Sequence, residues 1–178
     1  TDVLEQRVAQ LEGGLAGLAF ASGMAAITAC VQTLAEAGDN IVATAQVYGG
    51  TYTLFRHTLR AQGIEARLVD AGDPAAFAKA IDEHTRMVYC ESVGNPAGNV
   101  VDIGALAEVA HQAGVPLVVD NTVPTPVLCR PFEHGADIVV HALTKYLGGH
   151  GTSIGGIIVD SGRFPWQDNP RFARFSTP

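Results

Sequence analysis

Between Ala136 and Gly156 the chain reads A-D-I-V-V-H-A-L-T-K-Y-L-G-G-H-G-T-S-I-G-G, two apolar runs separated by a polar, glycine-rich turn. Asp137–His141, with adjacent valines, predicts a buried β-strand, and Ile157–Val159 predicts a second. Lys145 lies in the turn. The chain has one other lysine, Lys79, within P-A-A-F-A-K-A-I-D-E-H, which reads as an exposed amphipathic helix with a Lys79–Glu83 pair at i,i+4. Lys145 has two readings. A solvated loop tip would need nothing further. An amine held between two buried strands would be pushed toward its neutral form, the form that attacks a carbonyl carbon.

The flanking sequence alternates strands and helices. A stripe at Leu4, Val8 and Leu11 predicts a helix over Thr1–Leu11, capped by Thr1 or Asp2 and ended by Gly13-Gly14. The apolar run Leu18–Ala21 precedes Ser22-Gly23-Met24 and a helix over Ala25–Ala35. Strands are expected at Asn40–Thr44, Glu65–Val69, Arg86–Glu91 and Pro116–Val119. Helices are expected from Tyr48 to Ala61, over Pro74–Ile81 and over Asp102–Ala113, with Asp102 as cap and Gly114 as stop. This order predicts an α/β fold with a mainly parallel sheet, whose ligands bind beyond the carboxyl ends of the strands. Ser22, Asn95, Asp120 and Lys145 each follow a predicted strand.

Composition narrows the function. At 178 residues, 47% hydrophobic and 16% charged, the chain suits a sheet covered on both faces, and a net charge of −7 argues against a nucleic-acid partner. No apolar run approaches the ~20 residues of a membrane span. Cys30, Cys90 and Cys129 are widely spaced, which favours a reduced, cytoplasmic setting over a disulfide framework. The start at Thr1 and the end at Phe175-Ser-Thr-Pro178, without an obvious terminal element, lead us to expect a piece of a longer polypeptide.

Several signatures fail. Gly149-x-Gly151 lacks the third glycine of a dinucleotide loop, and no G-K-[ST] occurs. The six histidines lack the spacings of a metal site, so no metal is expected. Gly151-Thr-Ser-Ile-Gly155 spells G-x-S-x-G, but a nucleophile elbow runs from strand into helix, and here a turn leads into a strand. A serine hydrolase using Ser153 stays as a rival. Asp120, after the apolar run Leu117–Val119, reads either as a turn residue or as a buried carboxylate that needs a cation. A lysine for an aldehyde, an acid for a ring nitrogen, a helix start for an anion and a tyrosine beside a glycine pair together describe a pyridoxal phosphate site.

Ser22-Gly23-Met24, Tyr48-Gly49-Gly50-Thr51, Glu91–Asp102 (E-S-V-G-N-P-A-G-N-V-V-D), Asp120-Asn121-Thr122 and His141–His150 resemble the Cys/Met-metabolism family of pyridoxal phosphate enzymes. Within it, G-G-H-G-T-S-I-G-G and Leu128-Cys-Arg-Pro-Phe-Glu-His-Gly resemble the O-acetylhomoserine sulfhydrylases more than the cystathionine synthases or lyases. The resemblance implies a seven-stranded, fold type I large domain of the aspartate-aminotransferase kind. Residues 1–178 would be this cofactor domain, without an N-terminal arm and a C-terminal substrate domain. It implies γ-replacement on O-acetylhomoserine by sulfide or a thiol, with γ-lyase or γ-synthase chemistry as the alternative. It further implies a cytoplasmic homo-oligomer, a dimer of dimers, with active sites shared between subunits.

Residue by residue, the resemblance implies that Lys145 binds the cofactor as a Schiff base and then moves protons, while Asp120 pairs with the ring nitrogen. Tyr48 would stack on the ring and assist the leaving group, and Asn95 would bond the ring hydroxyl. Gly23, Met24 and Thr144 would hold the phosphate. Thr122 would support the ring face opposite Tyr48. Ala142 departs from the family's H-S-x-T-K, where a serine hydroxyl reaches the phosphate.

Overall fold

The computed structural model describes residues 1–167 and 169–175. It contains helices α1 (Asp2–Glu12), α2 (Gly23–Leu34), α3 (Gly49–Thr53), α4 (Leu59–Ala61), α5 (Pro74–Ala80), α6 (Ile103–Gln112) and α7 (Thr125–Leu128). A π-helical turn, Leu54–Thr58, joins α3 to α4 in one continuous rod. The strands are β1 (Ala16–Phe20), β2 (Asn40–Thr44), β3 (Glu65–Val69), β4 (Thr85–Glu91), β5 (Leu117–Asp120), β6 (Ile138–Ala142) and β7 (Gly156–Asp160).

They form a single seven-stranded sheet in the order β1-β7-β6-β5-β4-β2-β3. The five strands β2 to β6 run parallel, whereas β7 is antiparallel to both β6 and β1. The expected mainly parallel α/β architecture is therefore present. Alternation along the central strands supplies two cores. Val88, Cys90, Val119 and Val139 meet α1, α5 and α6 on one face. Met87, Tyr89, Val118 and Val140 meet α2 and the α3–α4 rod on the other.

Because β7 reverses direction, the start of β7 and the ends of β1, β4, β5 and β6 share one edge of the sheet. Phe20 and Ala142 both pair with Gly156, so the chain leaving β1 arrives beside the end of β6. This register sets Ser22 and α2 against Ala142. A Cβ at Gly23 would stand 2.6 Å from that of Ala142, so only glycine admits the approach.

Some local expectations need correction. Thr1 is the N-cap of α1 but makes no side-chain cap bond, and Leu4 and Leu11 are substantially exposed. The buried face of α1 is Val8, Ala9 and Glu12, because Glu12 turns inward to His141. Helix α5 stops at Ala80, where Ile81 turns extended, so Glu83 lies beyond the helix and forms no ion pair with Lys79. The chain end also has structure: a 3₁₀ segment over Pro170–Phe175 buries Phe172 among Phe164, Trp166 and Phe175. Ser176, Thr177 and Pro178 lie outside the described residues.

Candidate active site

At the shared edge is a cleft of about 420 Å³. Gly23, Met24, Tyr48, Asn95, Asp120, Thr122, Thr144 and Lys145 all line it. The eight residues singled out in the sequence thus converge, although 122 positions separate Gly23 from Lys145. Ser153 does not line the cleft. It is exposed in the loop before β7, with no histidine bonded to it among the described residues, and the nucleophile reading has no geometric support.

One end of the cleft is the N-terminus of α2. Ser22 caps it, its hydroxyl accepting from the Ala25 N–H at 3.1 Å. Gly23 and Met24, in the first turn of α2, line the cleft, and their N–H groups have no hydrogen-bond partner among the described residues, an arrangement suited to a phosphate. Tyr48 precedes α3 with its ring laid against Gly50, where a Cβ would come 2.7 Å from the ring and 3.1 Å from the Met24 sulfur. The Tyr48-Gly49-Gly50 motif therefore gives the ring its place on the cleft lining, with 49% of the residue exposed.

Asp120 closes the floor at the end of β5. It is buried, and burial raises its pKa above the ordinary carboxylate value. Bonds from the Thr122 hydroxyl and N–H, the nearby His141 and a long 3.4 Å contact from the Tyr89 hydroxyl oppose that rise. No lysine or arginine pairs with Asp120 among the described residues.

The structure adjusts the surroundings of three residues. Lys145 is exposed at the cleft, not enclosed between the strands, because the loop after β6 carries it out past Ala142. The Thr144 hydroxyl is engaged with Gly155, donating to its carbonyl at 3.3 Å and accepting from its N–H at 3.1 Å, which cinches that loop. The Thr122 hydroxyl bridges strands, donating to Asp120 and accepting from the Ala142 N–H at 2.8 Å.

Glu91 is the site residue that sequence reading missed. It ends β4, is only 6% exposed, lines the cleft, and accepts from the Tyr48 N–H at 2.6 Å. Burial first, and Asp120 second, push its pKa up to about 8 against the backbone N–H of Tyr48. The sequence signal was its place at the start of E-S-V-G-N-P; nothing local showed that the side chain would reach across to Tyr48.

Helix-start N–H donors, a buried acid that no lysine or arginine among the described residues pairs with, an aromatic ring and an amine around one cleft fit pyridoxal phosphate: anion, ring nitrogen, ring face and aldehyde each meet a matching group. The fold and this cleft define a fold type I pyridoxal phosphate enzyme. The chain belongs to the Cys/Met metabolism family of PLP-dependent enzymes, whose family model matches residues 1–177. It is 53% identical over 180 residues to the homocysteine/cysteine synthase of Saccharomyces cerevisiae, covering 100% of this chain and 40% of that protein. It is 54% identical over 178 residues to the O-acetyl-L-homoserine sulfhydrylase of Leptospira meyeri, again covering 100% of this chain and 40% of the relative. A Campylobacter jejuni structure described as an O-acetylhomoserine (thiol)-lyase, solved with a pyridoxyl-lysine monophosphate, superposes with TM-score 0.96 at 41% identity, covering 98% of this chain and 43% of that one. A cystathionine gamma-lyase from Lactobacillus plantarum superposes at TM-score 0.86 and 40% identity, covering 89% of this chain and 41% of that one. The chain thus spans well under half the length of these relatives.

Proposed function

We propose that this chain is the cofactor-binding part of a pyridoxal phosphate enzyme that replaces the acetate of O-acetylhomoserine with sulfide or a thiol, giving homocysteine or methionine. The observation that carries the cofactor reading is Asp120, a buried carboxyl on the floor of the cleft that Lys145 also lines, with no lysine or arginine paired to it among the described residues. The substrate reading draws its support from the yeast and Leptospira relatives.

Bound here, the cofactor supplies an electron sink for the proton removals that let a γ-substituent leave. Lys145 would hold the aldehyde carbon, and its amine would move protons at the substrate's α and β carbons. Asp120 would keep a proton on the ring nitrogen. Tyr48 would stack on the ring and offer its phenol to the leaving group. Gly23 and Met24 would hold the phosphate through their N–H groups, aided by Thr144 if its hydroxyl turned from Gly155, while Asn95 would bond the ring hydroxyl. Thr122 would act mainly by fixing Asp120, supporting the ring from the face opposite Tyr48.

Among the described residues Lys145 is the one basic side chain on the cleft, and the aldehyde would take it. Arg130 faces Glu133 at 3.5 Å, and Arg163 donates to the Phe132 carbonyl, both outside the cleft. The phosphate dianion therefore needs a cation from elsewhere, which supports a homo-oligomer with shared sites. A cytoplasmic setting belongs to the same reading; no helix among the described residues is long and apolar enough to cross a membrane.

The experiment is to supply the intact protein with pyridoxal phosphate, O-acetylhomoserine and sulfide. Homocysteine and acetate in equal amounts are expected. A second reading, γ-lyase chemistry, takes its support from the Lactobacillus plantarum likeness. Ammonia and a 2-oxo acid in place of homocysteine would favour it and overturn the sulfhydrylase reading.

A further inference from the structure

We propose that Glu91 is a positioning residue: its carboxyl ties the end of β4 to the turn carrying Tyr48, and so sets the tyrosine ring over the cofactor. This rests on the cofactor reading above.

Three observations lead to it. Glu91 is buried inside the cleft, where a carboxyl is retained at a cost unless it does something there. Its Oε1 accepts from the Tyr48 backbone N–H at 2.6 Å, a contact 43 residues apart in sequence and among the shortest side-chain bonds of the site. The Asn95 N–H also approaches the same carboxyl, so one group faces the two loops that carry the ring-stacking and ring-hydroxyl residues.

Tyr48 has few other anchors. It has non-helical backbone angles, φ −50° and ψ 140°, and makes no side-chain cap bond to α3. Its ring lies against Gly50, and the residue lines the cleft. Its carbonyl accepts from the Tyr52 N–H and starts α3, so the N–H is the remaining backbone handle, and Glu91 holds it. The charged and titratable groups around Glu91 are Tyr89 and Cys90 on its own strand, Asp120 on β5, and Tyr48 and Lys145 on the cleft wall. None is a cation in contact with Glu91. The backbone N–H groups are its partners.

The test is a double-mutant cycle on pyridoxal phosphate affinity, measured by titrating the intact apo-protein. Glu91→Ala is expected to weaken binding roughly fivefold, the scale of one hydrogen bond. In a Tyr48→Ala background the same change is expected to cost less than about twofold, because Glu91 acts through Tyr48. Glu91→Gln keeps an acceptor for the Tyr48 N–H and is expected to bind within about threefold of wild type, which separates positioning from misfolding. Equal costs of Glu91→Ala with and without Tyr48 would overturn the inference alone. A wild-type intact protein that binds no pyridoxal phosphate would overturn the cofactor reading and the inference together.

Discussion

Thr122 holds Asp120 through two bonds to one oxygen: its hydroxyl donates to Oδ1 at 2.5 Å and its N–H donates to the same atom at 3.0 Å. The same hydroxyl accepts from the Ala142 N–H, so the ends of β5 and β6 are tied at Asp120. Asp120 is oriented before any ligand arrives, and catalytic electrostatics depend on such preorganisation.

Asp120→Asn keeps an acceptor for both Thr122 donors, so the fold should change by less than about 1 kcal/mol. A neutral amide cannot balance a protonated ring nitrogen. Turnover is expected to fall by about 10²-fold or more, the scale of losing one electrostatic group at a reacting centre. Steady-state rates and thermal melts of the intact variant check this. Near wild-type turnover would reduce Asp120 to a turn residue.

Ala142→Ser should tighten the cofactor. Ala142 lies against Gly23, and a hydroxyl there would join the α2 N–H groups around the phosphate. One added bond to a charged group is worth at most about 1.5–3 kcal/mol, so roughly tenfold in affinity is the expectation. Titration of the apo-protein decides it. Weaker binding would mean that the phosphate sits elsewhere.

Glu91 gives the stability a direction in pH. Burial leads the causes that place its pKa at about 8, above the ordinary 4.5. The folded state therefore binds a proton that the unfolded chain has released over that interval, so this contribution is fully present below about pH 4.5 and is lost as pH rises through 8. Melting temperatures of the intact apo-protein should fall between pH 6 and 8.5, and Glu91→Gln should flatten the fall. An unchanged slope in the variant would assign the effect to another group.

The cofactor should be held tightly only by an oligomer, because among the described residues the cleft provides no basic side chain beyond Lys145. Light scattering on the intact protein, with and without pyridoxal phosphate, tests this. A monomer that binds it tightly would refute the shared-site reading.

The fold was legible because short apolar runs and capped helices repeat along the chain, and Asp102 and Ser22 cap as their residue types predict. Asp120 stood out as an acid at the end of an apolar strand. The contacts that bind distant segments were not legible. Glu12 and His141 form a fully buried pair at 2.5 Å across 129 residues, and Asn121 donates to the same carboxyl at 3.1 Å. A charged residue at a helix end ordinarily faces water, so its pattern pointed to Leu4 and Leu11 instead. The Thr144 bonds to Gly155 and the reach of Glu91 to Tyr48 are likewise set by packing, which periodicity does not encode.

The central claim is that Lys145 carries the cofactor. Lys79 is exposed on α5 and does not line the cleft. Borohydride reduction of the intact protein with pyridoxal phosphate, followed by peptide mapping, should place the pyridoxyl label on Lys145. A label on Lys79, or none on Lys145 while the cofactor is bound, would contradict the account.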